Sequence, residues 1–193
     1  MNDKKGYNPD RLVLSCGQSY ITNAFMISPP IKCLTQDLLD TIAQQARSTP
    51  RLRQNHNFHE LSEKVQRFVN VLQPGTYVRP HRHHRAAGVN GFEFFLVIQG
   101  ELGIIILDES GQMLHQERVS ANGPTRGVEL PEGTYHTLVA LAPDTVILEL
   151  KEGPYEPSTD KEFLDAFPAE GTPAAGHLVE TWQGLLKLPG KQS

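Results

Sequence analysis

The sequence predicts a mainly β protein, a sandwich or barrel of short strands, on three observations. Apolar or alternating runs recur between Val65 and Lys151, with a turn signal roughly every eight to twelve residues. Turn formers are plentiful, 16 Gly and 14 Pro in 193 residues, which favours short strands over long helices. No strand–helix–strand alternation is present, so a doubly wound nucleotide-binding sheet is not expected.

The elements follow in order. Residues 1–30 form a poorly defined N-terminal extension that closes on Ser28, Pro29 and Pro30, with Ile21–Ile27 as a short strand candidate. Residues 31–64 supply a helix and a connector. Thr35 is placed to cap the helix, Leu38, Leu39, Ile42, Ala43 and Ala46 form its apolar stripe, and Pro50 stops it. The polar stretch from Arg51 to His59 reads as connector.

Residues 65–153 carry the strands: Val65–Leu72, Tyr77–His83, Phe92–Ile98, Glu101–Leu107, Met113–Val119, Gly127–Leu130, Tyr135–Leu141 and Thr145–Lys151. Pro74 and Gly75, the turn from Asp108 to Gly111, Pro131 to Gly133 and Ala142 to Asp144 punctuate them. Residues 154–193 are polar and Pro-rich, an extension packed on the barrel with short helices expected at Lys161–Phe167 and His177–Leu186.

Composition narrows the function. A net charge of −4 argues against nucleic acid, whose phosphates call for a basic face. No run approaches the length of a membrane span, and Leu12–Leu14 is too short for a signal core. Cys16 and Cys33 read as ordinary thiols of a reducing compartment, so a cytoplasmic protein is expected.

The chemistry concentrates at His81, His83, Glu93 and His136. Histidines at i and i+2 on a strand share a face and can present both imidazoles to one ion. Glu93 lies in an apolar run with Phe92, Phe94, Leu96 and Ile98 on one face and Phe95 and Val97 on its own. A carboxylate buried there must pair with a cation or bind a metal. Three imidazoles and a carboxylate suit one divalent transition metal, Fe, Mn, Ni, Cu or Zn, better than Mg or Ca. Tyr77 and Arg79 share parity with the histidines and would line the same pocket, Arg79 as a carboxylate or phosphate anchor and Tyr77 as a hydrogen-bond or proton-transfer group, with His59 folding over its mouth. His59 and Tyr77 are the candidate acid–base groups, and no second carboxylate stands out. Arg47, Arg51 and Arg53 have two readings, a site for an acidic sugar or nucleotide and, more commonly for such a group, a solvated helix end. His56, His84, His115, His177 and Trp182 read as surface or packing residues.

Gly75-x5-His81-x-His83, Glu93-x6-Gly100 and Pro131-x-Gly133-x2-His136 resemble the two motifs of the cupin superfamily. The resemblance implies a cupin-type double-stranded β-helix, or jelly-roll, barrel. Two departures stand out: nine residues separate His83 from Glu93, against the usual three or four, and residue 140 is Ala where Asn is common. Leu34, Thr35, Asp37, Leu38, Leu39 and Asp40, the Ser48–Asn57 segment with His59, and Lys151 to Tyr155 are similar to the WbuC family of cupin-fold metalloproteins. That family implies a metal site and a genomic association with O-antigen and other surface-polysaccharide synthesis. The expected function is metal-assisted isomerisation or dioxygenation of a small polar molecule, a sugar or nucleotide sugar. The alternative is a non-catalytic, metal-dependent binding or regulatory module. A homodimer through an exposed edge strand is also expected.

Overall fold

A computed structural model describes residues 31–85, 88, 90–154 and 161–187. The strand expected at Ile21–Ile27, Cys16 and Tyr155 lie outside the described residues. Residues 1–34 group apart from 35–193. In the first group Cys33 is disulfide-bonded, which corrects the reading of a free thiol and removes that premise for a reducing compartment.

The second group opens on α1, Gln36–Ser48, where the Leu38 N–H donates to the Thr35 hydroxyl at 3.3 Å. Such a cap contributes about 1 kcal/mol. Among the described residues ten strands follow: β1 Arg53–Asn57, β2 Val65–Leu72, β3 His81–Arg82, β4 Glu93–Gln99, β5 Glu101–Leu107, β6 Met113–Ser120, β7 Gly127–Leu130, β8 Tyr135–Ala140, β9 Thr145–Glu152 and β10 Glu162–Phe163. A second helix, α2, spans Pro173–Lys187. Among the described residues no helix is long and apolar enough to cross a membrane.

The strands form two antiparallel sheets, ordered β1-β2-β9-β4-β7 and β10-β3-β8-β5-β6. Without the added edges β1 and β10, each is a four-stranded sheet, and consecutive strands from β2 to β9 alternate between them except at the β5–β6 hairpin, which is the double-sheet jelly roll. The sheets face each other and do not close into a barrel, which refines the expected architecture.

Leu72, Phe95, Val97, Leu102, Ile104, Leu138 and Ile147 meet between the sheets. Leu39, Ile42, Ala43 and Ala46 of α1 cover the back of the first sheet at Val69, Val71 and Val146. Ala175, Val179, Trp182 and Leu186 of α2 cover the back of the second at Ile105, Leu107 and Val139. The result is four layers, helix, sheet, sheet, helix, each apolar face buried against the next.

Three local expectations are corrected. The connector after α1 contains β1, an edge strand whose register with β2 runs from Arg53↔Leu72 to Asn57↔Phe68. The expected strand over Tyr77–His83 is laddered only at His81 and Arg82. Lys161–Phe167 is not a helix; Glu162 and Phe163 pair with Arg82 and His81.

Gly100 shows why the turn between β4 and β5 needs glycine. Its φ is +77°, and a Cβ there would lie 2.7 Å from the Thr145 hydroxyl. That hydroxyl donates to the Ala142 carbonyl at 2.7 Å and accepts from the Glu101 N–H at 3.3 Å, and so pins the turn.

Candidate metal centre

The site grows out of one rung of the second sheet. His81 on β3 and His136 on β8 are register partners, so their side chains leave the sheet together toward its inner face. His83 follows two residues later and turns the same way, its ring centroid 4.9 Å from that of His81. All three are buried, and one ligating atom from each lies within 4.8 Å of the others.

Second partners fix how two of the rings are held. His81 Nδ1–H donates to the Arg79 carbonyl at 2.8 Å, and His136 Nδ1–H donates to the Thr134 carbonyl at 3.0 Å. Tying Nδ1 to a carbonyl leaves Nε2 as the lone-pair face, the arrangement common to metal-bound histidines. Burial, then the positive Lys161 nearby, holds the His81 imidazole well below the ordinary histidine value. Burial also lowers His136, against the opposing pull of Glu93. Both rings are therefore held neutral, as a ligand must be.

Glu93 reaches across from β4 in the facing sheet. Its Oε1 lies 3.2 Å from His83 Nε2 and its Oε2 lies 3.2 Å from His136 Nε2. Burial raises the Glu93 carboxyl, but the His83 hydrogen bond and the charge of Lys151 are among the interactions that pull it the other way, to below the ordinary carboxylate value. In the neutral His136 ring, the Nε2 lone pair faces a carboxylate oxygen. Two acceptors at that separation need a cation between them, a proton or a metal ion, and three imidazoles with one carboxylate form a donor set that suits a transition metal.

The site opens into a cavity of about 520 Å³ between the sheets, lined by His81, Glu93 and His136 at its base. Of the residues expected around it, His59 and Arg79 line the cavity. His59 is buried, with Nδ1 2.8 Å from the Arg67 main chain. Arg79 donates from Nη2 to the Leu164 carbonyl at 3.2 Å and lies over the Phe163 ring.

Tyr77 does not line it. Its ring stacks on Trp182 behind the second sheet and its hydroxyl donates to the Pro168 carbonyl at 3.0 Å. Burial pushes this phenol up to about 12, which makes it a poor proton donor near neutral pH. Parity misplaces Tyr77 because residues 74–80 form no ladder, so strict alternation does not carry back from His81. The three arginines also part company. Arg47 pairs with Asp144 at the end of α1, whereas Arg51 and Arg53 both reach Glu170 and line the cavity.

Glu149 is the residue that sequence reasoning missed, and it corrects the statement that no second carboxylate stands beside the ligands. It lies on β9 opposite Phe95 of β4, as Lys151 lies opposite Glu93, and both line the cavity. Burial, then the charge of Glu93, raises its carboxyl, while Asn70 Nδ2 donates to Oε1 at 2.9 Å. The parity argument that singled out Glu93 applies equally to Glu149 and Lys151, which alternate with Leu148 and Leu150.

A family described as a domain of unknown function, DUF6016, matches residues 34–119. No curated protein matches the sequence. Among solved structures, the capsular polysaccharide assembling protein CapF from Staphylococcus aureus is 23% identical over 65% of this chain and 36% of its own, with a TM-score of 0.49. KdgF from Halomonas sp. is 21% identical over 57% of this chain and 87% of its own, with a TM-score of 0.44. A cupin superfamily protein from Desulfitobacterium hafniense is 15% identical over 57% and 86%, with a TM-score of 0.42. This chain spans about a third of the CapF structures it matches. The fold rests on the strand order itself, a double-sheet jelly roll, and the buried trio of His81, His83 and His136 could hold a metal ion.

Proposed function

We propose that the protein binds one divalent transition metal through His81, His83, Glu93 and His136 and is an enzyme acting on a small polar molecule admitted by the cavity. The observation that carries this reading is the opposition of His136 Nε2 and Glu93 Oε2 at 3.2 Å, with the Nδ1 atoms of His81 and His136 both committed to carbonyls. A metal held there would supply Lewis acidity toward a carbonyl or enolate oxygen.

The remaining work falls to the chain. The apolar layer at Phe95 and Leu138 closes the cavity beneath the site and excludes bulk water from its base. Glu149 faces the same space and keeps one carboxyl oxygen, Oε1, hydrogen-bonded to Asn70. A carboxyl whose value is raised by burial suits proton exchange with a bound ligand. Isomerisation or dioxygenation of a sugar or nucleotide sugar is the reaction class proposed. The surface-polysaccharide setting rests on the resemblance to the WbuC family alone.

The test is elemental analysis of protein purified without chelator, beside His83→Ala and Glu93→Ala, followed by turnover assays on sugar panels. About one equivalent of metal, lost in both folded variants, supports the site. Metal without turnover on any panel would leave a metal-dependent binding module, and no metal even after anaerobic reconstitution would overturn the reading.

A further inference from the structure

One wall of the cavity follows the register of the first sheet. Glu149 on β9 is partnered by Phe68 of β2 on one side and by Phe95 of β4 on the other. Partners on a rung share a face, with Cβ atoms about 4.5–5.5 Å apart, so a carboxyl stands between two phenyl side chains, and all three residues line the cavity. Asn70, two residues along β2 from Phe68, turns to the same face and donates from Nδ2 to Glu149 Oε1 at 2.9 Å. On β1, Asn57 and Asn55 partner Phe68 and Asn70 and carry the wall to the edge of the sheet.

That single hydrogen bond leaves part of each group unused. Among the described residues nothing bonds to Asn70 Oδ1 or to Glu149 Oε2, and Asn70 keeps a second amide hydrogen. The one buried side-chain nitrogen or oxygen without a partner among the described residues is Arg79 Nε. The two free oxygens are therefore not sealed inside protein; they open to the cavity that both residues line. Glu149 is nevertheless only 8% exposed, so its carboxyl is held in place with one oxygen turned to space a molecule can fill.

The chemistry of these atoms selects the occupant. They are an N–H donor, an amide acceptor, and a carboxyl oxygen that accepts when ionised and donates when protonated. A hydroxyl both donates and accepts, so it meets the carboxyl in either form. Two hydroxyls on neighbouring carbons can engage the amide and the carboxyl together, with the C–H groups of the same molecule against the Phe68 ring. A cationic ligand would meet Lys151, which shares the Glu149 face of β9, and an anionic one would meet the carboxyl itself.

We infer that Asn70 and Glu149 form a diol-binding corner: the cavity takes an uncharged part of its ligand that carries hydroxyls on two adjacent carbons, one on the Asn70 amide and one on Glu149 Oε2, with the rest of the molecule running toward Asn55 and Asn57. This rests on the cavity of the proposed function and not on its metal, and it assigns the atoms that read the hydroxyls of a sugar.

Ligand-observed NMR titration of the full chain, treated with chelator, tests it with three uncharged probes built on one ring: 1,2-cyclohexanediol, cyclohexanol and cyclohexanecarboxamide. The diol is expected to bind about tenfold or more tighter than cyclohexanol. It should also move the Asn70 side-chain amide signal, assigned from the spectrum of Asn70→Leu. Asn70→Leu and Glu149→Met, with melting temperatures measured on the same samples, are expected to lose the preference. A thioether packs well between phenyl rings, so Glu149→Met still reads the corner if Asn70→Leu does not fold. No binding of the diol, equal binding of cyclohexanol, a carboxamide as tight as the diol, an Asn70 amide that does not respond, or a preference kept in the folded variants overturns the inference. Absence of metal from the parent protein would instead sink the metal reading and leave these titrations, made on chelated protein, standing.

Discussion

His81 and His136 stand opposite one another across β3 and β8, with ring centroids 4.7 Å apart. Because the rung they share is the only register contact between those strands among the described residues, binding an ion there also ties β3 to the sheet. Metal is therefore expected to stabilise the fold as well as fill the site. At a free concentration a hundred times Kd, a single site adds about 2.7 kcal/mol. The midpoint of chemical unfolding should rise with added metal in the parent and stay flat in His136→Ala; a flat response in the parent would disprove the coupling.

Acid should weaken the metal-free protein. Burial depresses His81 and His136, so the folded chain carries fewer protons on them than the unfolded chain does. Their contribution is present above the unfolded histidine value of about 6.5 and is lost as pH falls through it toward the folded values. Each adds at most about 1.4 kcal/mol per pH unit. Urea midpoints measured on chelated protein across this range should fall on acidification, and less steeply in His81→Gln.

Glu149 has the opposite sign. Its carboxyl is raised above 4.5 in the fold, so the stability tied to its proton is present below that value and is lost as pH rises through the folded value. Glu149→Gln keeps the shape without the titration. The variant should gain stability relative to the parent as pH climbs from about 4.5, and a difference independent of pH would count against the assignment.

Gly100→Ala is expected to cost about 1–3 kcal/mol, since the turn demands a positive φ and Thr145 fills the space. Thermal unfolding checks it, and the β4–β5 turn lies far enough along β4 from Glu93 that metal content should hold.

Trp182→Ala tests the opposite face. This side chain is 5% exposed and stacks on Tyr77, so truncation should cost about 3–5 kcal/mol. Metal stoichiometry in the folded fraction should not change. A loss of metal at full folding would show that α2 shapes the site through β8.

The sequence made some of this legible for physical reasons. Glu93 announces itself because a carboxylate inside an apolar run has few stable places to go, and α1 because its cap, stripe and stop coincide. β1 was hidden because its residues, Arg53 to Asn57, have no apolar face to alternate: the surface they turn inward lines a polar cavity instead of a core. Tyr77 was misplaced because alternation was extended through residues that make no ladder. Glu149 was passed over although the same logic covers it. Arg79 could be placed by spacing, but its unsatisfied Nε exists only in three dimensions.

The added edge strand β1 has a consequence for how such a protein diversifies. The proposed ligands His81, Glu93 and His136 sit on β3, β4 and β8, with His83 just past β3, while part of the cavity's lining is borrowed from β1, a strand with a single neighbour in its sheet. Substitutions at Gln54, Asn55 or Asn57 would disturb one ladder and no part of the sandwich interior. The chemistry and the choice of ligand thus reside on separable pieces of backbone, so selection could retune one while conserving the other.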